Sequence, residues 1–455
     1  MRPKTESVLD TVAALATPVG RSALALLRVS GSESRRILRA VTRGLPEELA
    51  PRHPYLVSFV DGGTDVIDRG LATYFAAPAS STGEDAAELS IHGSPVVARR
   101  MLAALVAAGA RPARPGEFTE RAFLFGKMDL VEAEAVRDLI EARTEEAARL
   151  SARRLEGRLS RLLGEVREDL LSAAAGFAAT IDFSEDVGEA VSPETLSRIE
   201  AAVEILGRLG ASYETGRLLS AGCRVAILGR PNAGKSTIFN ALVGSARAIV
   251  TDVPGTTRDT LHATADVRGI PVELVDTAGL RETEDTVERI GVRRAWEAGE
   301  SSDLALYVFD AAVGWSQEDA AALARFGGAP ALIIANKIDR LSGRPLAGAP
   351  PGATPLSAIS PEAGKKLHEL LEERLARDVS TDSASEVLAS VRQRDLVERA
   401  RAAAAETLTA LSCGESPEYA ATHLDAAIDA LADVAGETTA EDVLRRIFAT
   451  FCIGK

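Results

Sequence analysis

A chain of 455 residues is long enough for two to four domains, each with a core of its own. Hydrophobic residues at 46% and charged residues at 26% exclude a disordered chain, and aromatics at only 4% favour helices packed through Leu, Ala, Val and Ile. The formal net charge of −14 excludes binding to nucleic acid by bulk attraction, so any RNA contact needs a local basic face or a partner.

From the N-terminus, the apolar stretch Thr11 to Val29 is broken by Pro18, Gly20, Arg21 and Arg28, so it suits neither a signal region nor a membrane span. The expectation is a cytoplasmic protein with no membrane segment. Cys223, Cys413 and Cys452 are too few and too scattered for a disulfide frame or a metal cluster. Residues 1–122 alternate short β-like runs with turns: Leu24–Gly31, Tyr55–Val60 and Leu71–Pro78 have strand composition. Residues 123–217 change to Ala, Glu, Arg and Leu with apolar residues at three- and four-residue spacing, which predicts several helices in a bundle. Residues 218–380 alternate buried-type strands with helical stretches, the pattern of a parallel sheet covered on both faces. The helical texture resumes over 381–455. The fold class expected is therefore α/β plus helical, with the α/β domain inserted between two halves of a discontinuous helical domain. Near the end, Thr438 and Glu441 read as a capping box before an apolar face of Val443, Leu444, Ile447, Phe448 and Phe451.

The chemistry sits in the inserted segment. Gly229–Ser236 reads GRPNAGKS, the G-x-x-x-x-G-K-[ST] phosphate loop, between a buried-type strand, Cys223–Leu228, and an amphipathic helix, Thr237–Val243. Gly229 and Gly234 let successive backbone N–H groups of Asn232, Ala233, Gly234 and their neighbours face the phosphates. Lys235 reaches the β- and γ-phosphates, and the Ser236 hydroxyl is a Mg²⁺ ligand. Asp276, Thr277, Ala278 and Gly279 form DTAG after a strand, with Asp276 placed to hold Mg²⁺ through water and the Gly279 amide to sense the γ-phosphate. Asn336, Lys337 and Asp339 belong to NKID after another strand. The Asp339 carboxylate matches the paired N1 and N2 donors of guanine, and adenine would leave it unsatisfied. Ser357 and Ala358 are placed to offer backbone N–H to guanine O6. Between these lies PGTTRD, where Thr257 is a candidate second Mg²⁺ ligand on a switch loop. Ordered this way, the five elements predict a GTPase with a Ras-like G domain.

The position where Ras-type enzymes carry a water-orienting Gln is Leu280 here, and no leucine polarises water. Hydrolysis then needs another group and a cation. Asn232 is a candidate to hold a monovalent cation beside the β/γ bridge. Glu288 is a candidate to orient water, against the plainer reading of an exposed helix carboxylate.

Over nearly its whole length the chain resembles the MnmE (TrmE) family of tRNA-modification GTPases. The likeness is carried by Ala16–Gly31, Thr82–Gly93, Arg114–Val136, Ile181–Asp186, the GTPase segment and the terminal FCIGK, Phe451–Lys455. The resemblance implies an α+β N-terminal domain that binds folate and dimerises, and a potassium-dependent GTPase. It implies a homodimer that joins a flavoprotein partner, MnmG, in a heterotetramer acting on tRNA. The product implied is a carboxymethylaminomethyl or aminomethyl group on C5 of the wobble uridine. A tetrahydrofolate derivative of the 5-formyl type would supply the one-carbon unit, with FAD entering only through the partner. By the same resemblance, folate contacts fall on Arg28, Glu88, Lys127 and Lys455, and potassium ligands on Asn232, Thr251, Val253 and Thr256. Mg²⁺ ligands fall on Ser236 and Thr257, with Thr237 in the nucleotide-binding set, and the carboxylate that promotes hydrolysis on Glu288. Cys452 remains open between a reactive thiol and a small buried hydrophobe. The competing functions are a ribosome-assembly GTPase, which should carry a basic RNA-binding appendage, and a regulatory switch, which needs no folate-like domain.

Overall fold

The computed structural model describes residues 10–62, 65–182, 191–245, 248–249, 262–276, 302–325, 330–341, 344–346, 348–377 and 386–454. The chain divides into two compact units, residues 1–137, 155–203 and 399–455 in one, and 138–154 with 204–398 in the other. Each of these four breaks falls inside a helix rather than where the sequence changes texture.

The first unit is built on a sheet of β1 (Val12–Leu15), β2 (Leu24–Ser30), β3 (Thr42–Arg43), β4 (Pro54–Val60), β5 (Val66–Phe75), β6 (Ala86–His92) and β7 (Arg111–Pro112). Its order is β3-β4-β5-β6-β2-β1-β7, antiparallel except where β7 joins β1. Along β2, Ala25, Leu27 and Val29 face a core with Leu89 and Ile91 of β6, the period-two pattern of a strand with one buried face. That core is closed by the helices Ser34–Ala40 and Pro95–Ala107, where the residue pattern suggests only turns between strands. The second opens with Ser94 at the N-cap and Pro95 in its first turn, where the missing N–H costs nothing. Deeper in the chain, the helices Arg158–Asp182 and Pro417–Ala435 pack together, and Leu170, Phe177, Leu424 and Leu431 along them are buried.

The C-terminal helix is shorter than expected. It runs Glu441–Phe448 with Ala440 as its N-cap, and Thr438 instead hydrogen-bonds Asp433, so the capping box is not formed. Leu444 and Phe448 are buried with Phe451, Phe123 and Leu130, whereas Val443 is exposed. One apolar face still docks the helix, through fewer residues than its sequence offers.

The second unit carries β8 (Cys223–Leu228), β9 (Ala248–Ile249), β10 (His262–Val267), β11 (Ile270–Asp276), β12 (Leu304–Asp310), β13 (Ala331–Asn336) and β14 (Thr354–Pro355), ordered β14-β13-β12-β8-β11-β10-β9. The sheet is mixed rather than wholly parallel. β10 runs antiparallel to β11 because only the two-residue turn Arg268–Gly269 joins them, too short for a crossover. From β8, Val225 and Ile227 pack with the helices Lys235–Ser245 and Ala363–Ala376, and Ala226 and Leu228 face the helix Gln317–Arg325. Both faces are therefore covered, as the apolar runs required. Among the described residues no helix is long and apolar enough to cross a membrane.

Candidate functional site

At the carboxyl edge of this second sheet the ends of β8, β12 and β13 lie side by side. That edge is where parallel sheets place their ligands. β8 turns at Gly229, whose φ of 138° and position against the backbone leave no space for a side chain, since a Cβ there would lie 2.0 Å from the Val308 carbonyl oxygen. The loop closes with Ala233 N–H on the Arg230 carbonyl at 3.3 Å, holds Asn232 at φ 61°, and enters the helix Lys235–Ser245. Ser236 and Thr237 are exposed in its first turn. Lys235 Nζ donates to the carbonyls of Gly229 and Arg230, at 2.9 and 3.0 Å. First-turn N–H groups of a helix have no intrahelical acceptor, so this end of the loop is a ready anion cradle.

β13 delivers Asn336, which is only 1% exposed. Its Nδ2 donates to the Ala233 carbonyl at 2.9 Å, and its Oδ1 accepts the Ala358 N–H at 3.0 Å. One amide thereby joins the phosphate loop, the NKID segment and the Ser357–Ala358 segment. Lys337, at φ 63°, donates from Nζ to the Asn232 carbonyl and to Asp310 Oδ2, the latter at 2.8 Å. Burial pushes the Asp310 carboxyl up, but the Lys337 ammonium and the Ala312 N–H outweigh it and hold the group below its ordinary range. Asp339 is exposed and accepts the Ser357 hydroxyl at 2.5 Å. Asn232, Ala233, Gly234, Lys235, Ser236, Thr237, Asn336, Lys337, Asp339, Ser357 and Ala358 are thus drawn around one edge. Asp276 ends β11 beside Ile227. Thr251, Val253, Thr256, Thr257, Thr277, Ala278, Gly279, Leu280 and Glu288 lie outside the described residues.

In the first unit, Arg28 and Glu88 are directly opposed on β2 and β6, and Arg28 Nε donates to Glu88 Oε1 at 2.9 Å. They line a small cavity of about 70 Å³ with Thr82 and Phe118. Lys127 donates to the Pro78 carbonyl at 3.2 Å, and its stem lies against Gly83 of the Thr82–Gly93 block. The C-terminal tail meets the Arg114–Val136 block: Ile453 bridges Pro115, and the Gly116 N–H donates to the Cys452 carbonyl at 3.3 Å. Gly454, at φ 91°, sits so close to the Leu15 carbonyl that a Cβ would lie 2.5 Å from it. Cys452 is exposed, so of its two readings the small buried hydrophobe does not hold in this chain. Lys455 lies outside the described residues.

Two family patterns match the chain, the MnmE helical domain over residues 130–452 and the N-terminus of the GTP-binding protein TrmE over residues 11–127. Among curated proteins, a tRNA modification GTPase MnmE from Heliobacterium modesticaldum is 40% identical over 98% of this chain and 99% of its own length. Others of that name from Salinibacter ruber and Aquifex aeolicus are 42% and 38% identical, each over 98% of this chain. The chain belongs to the MnmE family. Solved structures match weakly and in part: Aquifex aeolicus Era bound to GDP and AlF4⁻ is 24% identical over 40% of this chain and 66% of its own, with a TM-score of 0.27.

Three side chains of this MnmE-family site escaped the sequence reading. Asp310 ends an apolar strand, Asp319 sits two residues into a helix, and Arg230 lies within the loop motif at a position the motif leaves free. The only signal was a charged residue at the end of a buried strand.

Gly234, at φ 98°, has no room for a side chain, because a Cβ would lie 2.2 Å from Asn336 Nδ2. Gly234→Ala is expected to break the Asn336 bridge and to weaken binding of a fluorescent GDP by about tenfold or more, the factor for ~1.4 kcal/mol. Wild-type affinity in a folded Gly234→Ala protein would contradict that packing.

Proposed function

We propose that this chain is a potassium-dependent GTPase which, with a flavoprotein partner (MnmG), installs a carboxymethylaminomethyl or aminomethyl group at C5 of the wobble uridine of certain tRNAs. The observation that carries the reading is similarity along the whole chain to proteins named tRNA modification GTPase MnmE. The nucleotide chemistry is supported independently by the loop geometry. Gly229 and Gly234 leave backbone N–H groups open to phosphate, and Asn336 and Lys337 hold that loop beside Asp339.

In this reading Asp339 selects guanine by accepting from N1 and N2, with Ser357 holding its other side, and the Ala358 N–H, which here donates to Asn336 Oδ1, is shared with or turned toward guanine O6 when the base binds. Lys235 leaves its loop carbonyls for the β- and γ-phosphates, and Ser236 with Thr257 would hold Mg²⁺, which neutralises phosphate charge. Asn232, with Thr251, Val253 and Thr256, would hold potassium, which supplies the positive charge an arginine supplies elsewhere. Glu288 orients the attacking water in place of the glutamine that Leu280 replaces. A fit for potassium is supported by Asn232 being exposed in a backbone fixed at φ 61° by the Lys337 contact.

Residues 1–122 form the folate-binding and dimerisation domain, 123–217 and 381–455 the helical domain, and 218–380 the GTPase domain. The 5-formyl-type folate is held by Arg28, Glu88 and Lys127, with Lys455 of the tail and Cys452 exposed beside it. The opposed charges of Arg28 and Glu88 suit a ligand carrying both donors and carboxylates. The working assembly is a cytoplasmic homodimer in a heterotetramer with the flavoprotein, which brings FAD, and tRNA is its substrate.

Two assays test separate layers. GTP turnover is expected to be about tenfold or more faster in potassium than in sodium, with Asn232→Ala losing the difference; equal rates for the wild type would remove the cation role and leave the family reading intact. Mass spectrometry of tRNA from cells lacking the protein is expected to show wobble uridine without its C5 side chain. An unaltered nucleoside profile would overturn the tRNA reading.

A further inference from the structure

We propose that Arg230 and Asp319 are a positioning pair that sets the shape of the phosphate loop, rather than Arg230 being a cation for the transition state. The proposal rests on the reading of Gly229–Ser236 as the GTP site. Arg230 is the second residue of that loop. Its guanidinium grips Asp319 with a two-point fork, Nε to Oδ1 at 2.9 Å and Nη2 to Oδ2 at 2.8 Å, and Nη2 also donates to the Gly314 carbonyl at 3.0 Å. Fork-to-carboxylate geometry is the strong, directional kind of ion pair.

Asp319 has no freedom to follow a moving arginine. It is 0% exposed, and its two oxygens are shared with three further donors. The Tyr307 hydroxyl donates to Oδ1 at 2.9 Å, and Ser316 donates to Oδ2 from its N–H at 2.9 Å and its hydroxyl at 2.8 Å. Asp319 N–H returns a bond to the Ser316 hydroxyl at 3.3 Å, the reciprocal cap of the helix Gln317–Arg325. That helix is seated on the sheet through Ala322 and Leu323 against Leu228 and Tyr307. Burial, with the Asp319 carboxylate beside it, pushes the Tyr307 hydroxyl well above its usual range.

What the pair fixes is the backbone that holds the phosphate lysine. The Arg230 carbonyl accepts both Lys235 Nζ and the Ala233 N–H that closes the loop. A shift of Arg230 therefore moves the acceptors of Lys235 and the turn that carries Asn232. Swinging the guanidinium toward the phosphates would take the arginine counter-charge from a buried Asp319 and leave it to the neutral donors of Tyr307 and Ser316, which is unfavourable. A brace fits the geometry better than a finger.

The test uses the full-length protein: Arg230→Ala, Asp319→Asn, the double variant, Arg230→Lys, and Glu318→Gln as a control on an exposed neighbour. GTP kcat and KM, GDP affinity and Tm are measured on each. A brace predicts that each alanine or asparagine variant loses about 10- to 100-fold in kcat/KM, as for a misplaced catalytic group. The double variant should be no worse than the worse single one, because both changes cut the same link. Arg230→Lys keeps the charge without the fork and should recover only part of the rate, and Glu318→Gln should match the wild type. Turnover lost in Arg230→Ala but kept in Asp319→Asn would overturn the brace and make Arg230 the transition-state cation. A lowered Tm with unchanged kcat and KM would reduce the pair to a fold contact. If Arg230→Ala does not fold, Asp319→Asn and Arg230→Lys decide between the same outcomes. Wild-type protein that fails to turn over GTP sinks the functional reading instead.

Discussion

A single buried amide holds the nucleotide edge together. Asn336 donates to Ala233 of the phosphate loop and accepts from Ala358, so segments from three parts of the chain share one hydrogen-bonded centre. Each bond is worth only about 1 kcal/mol net, but leaving any partner unpaired in the interior costs about 1–3 kcal/mol, so the segments hold or fail as a set. Gly234 belongs to the same arrangement, because only a residue without a Cβ lets the amide approach. Beside it Lys337 extends the link from Asp310 to the Asn232 carbonyl. The segment that carries Asp339, the proposed guanine contact, is therefore tied to the loop proposed to hold phosphate.

The first unit uses the same device of missing side chains. Gly116 would place a Cβ 2.4 Å from the Phe448 carbonyl, and Gly454 is as tightly set against Leu15. The terminal residues are thereby laid along the Arg114–Val136 block and the end of β1, one strand from Arg28. Beneath them Arg121, only 1% exposed, is held by Asp10, Glu84 and Glu117. Burial raises the Glu117 carboxyl, but Arg111, the Arg114 N–H and Arg121 lower it below its ordinary value. Two short motifs far apart in sequence are one structural feature.

Much of this was legible in the residues. Cys223–Leu228 is a strand with the bounds its apolar run suggested, since parallel strands buried on both faces need continuous hydrophobicity. The phosphate loop and NKID sit at strand ends because their glycines and polar residues stop the apolar run. What escaped depends on register and on long-range pairing. Nothing in the sequence says that Arg28 lies opposite Glu88, because that follows from how β2 and β6 align. Asp319 looks like any acid near a helix start, and only the fold brings Arg230 and Tyr307 to it. Thr438 had a cap's spacing, but its hydroxyl found Asp433 first.

The most direct measurement is calorimetric titration of inorganic pyrophosphate, which has phosphates but no base, into the wild type and Asn336→Ala. If the base-reading segment shapes the phosphate loop, pyrophosphate binding should weaken along with GDP binding. Unchanged pyrophosphate affinity, with only GDP weakened, would contradict the link between the two halves of the site.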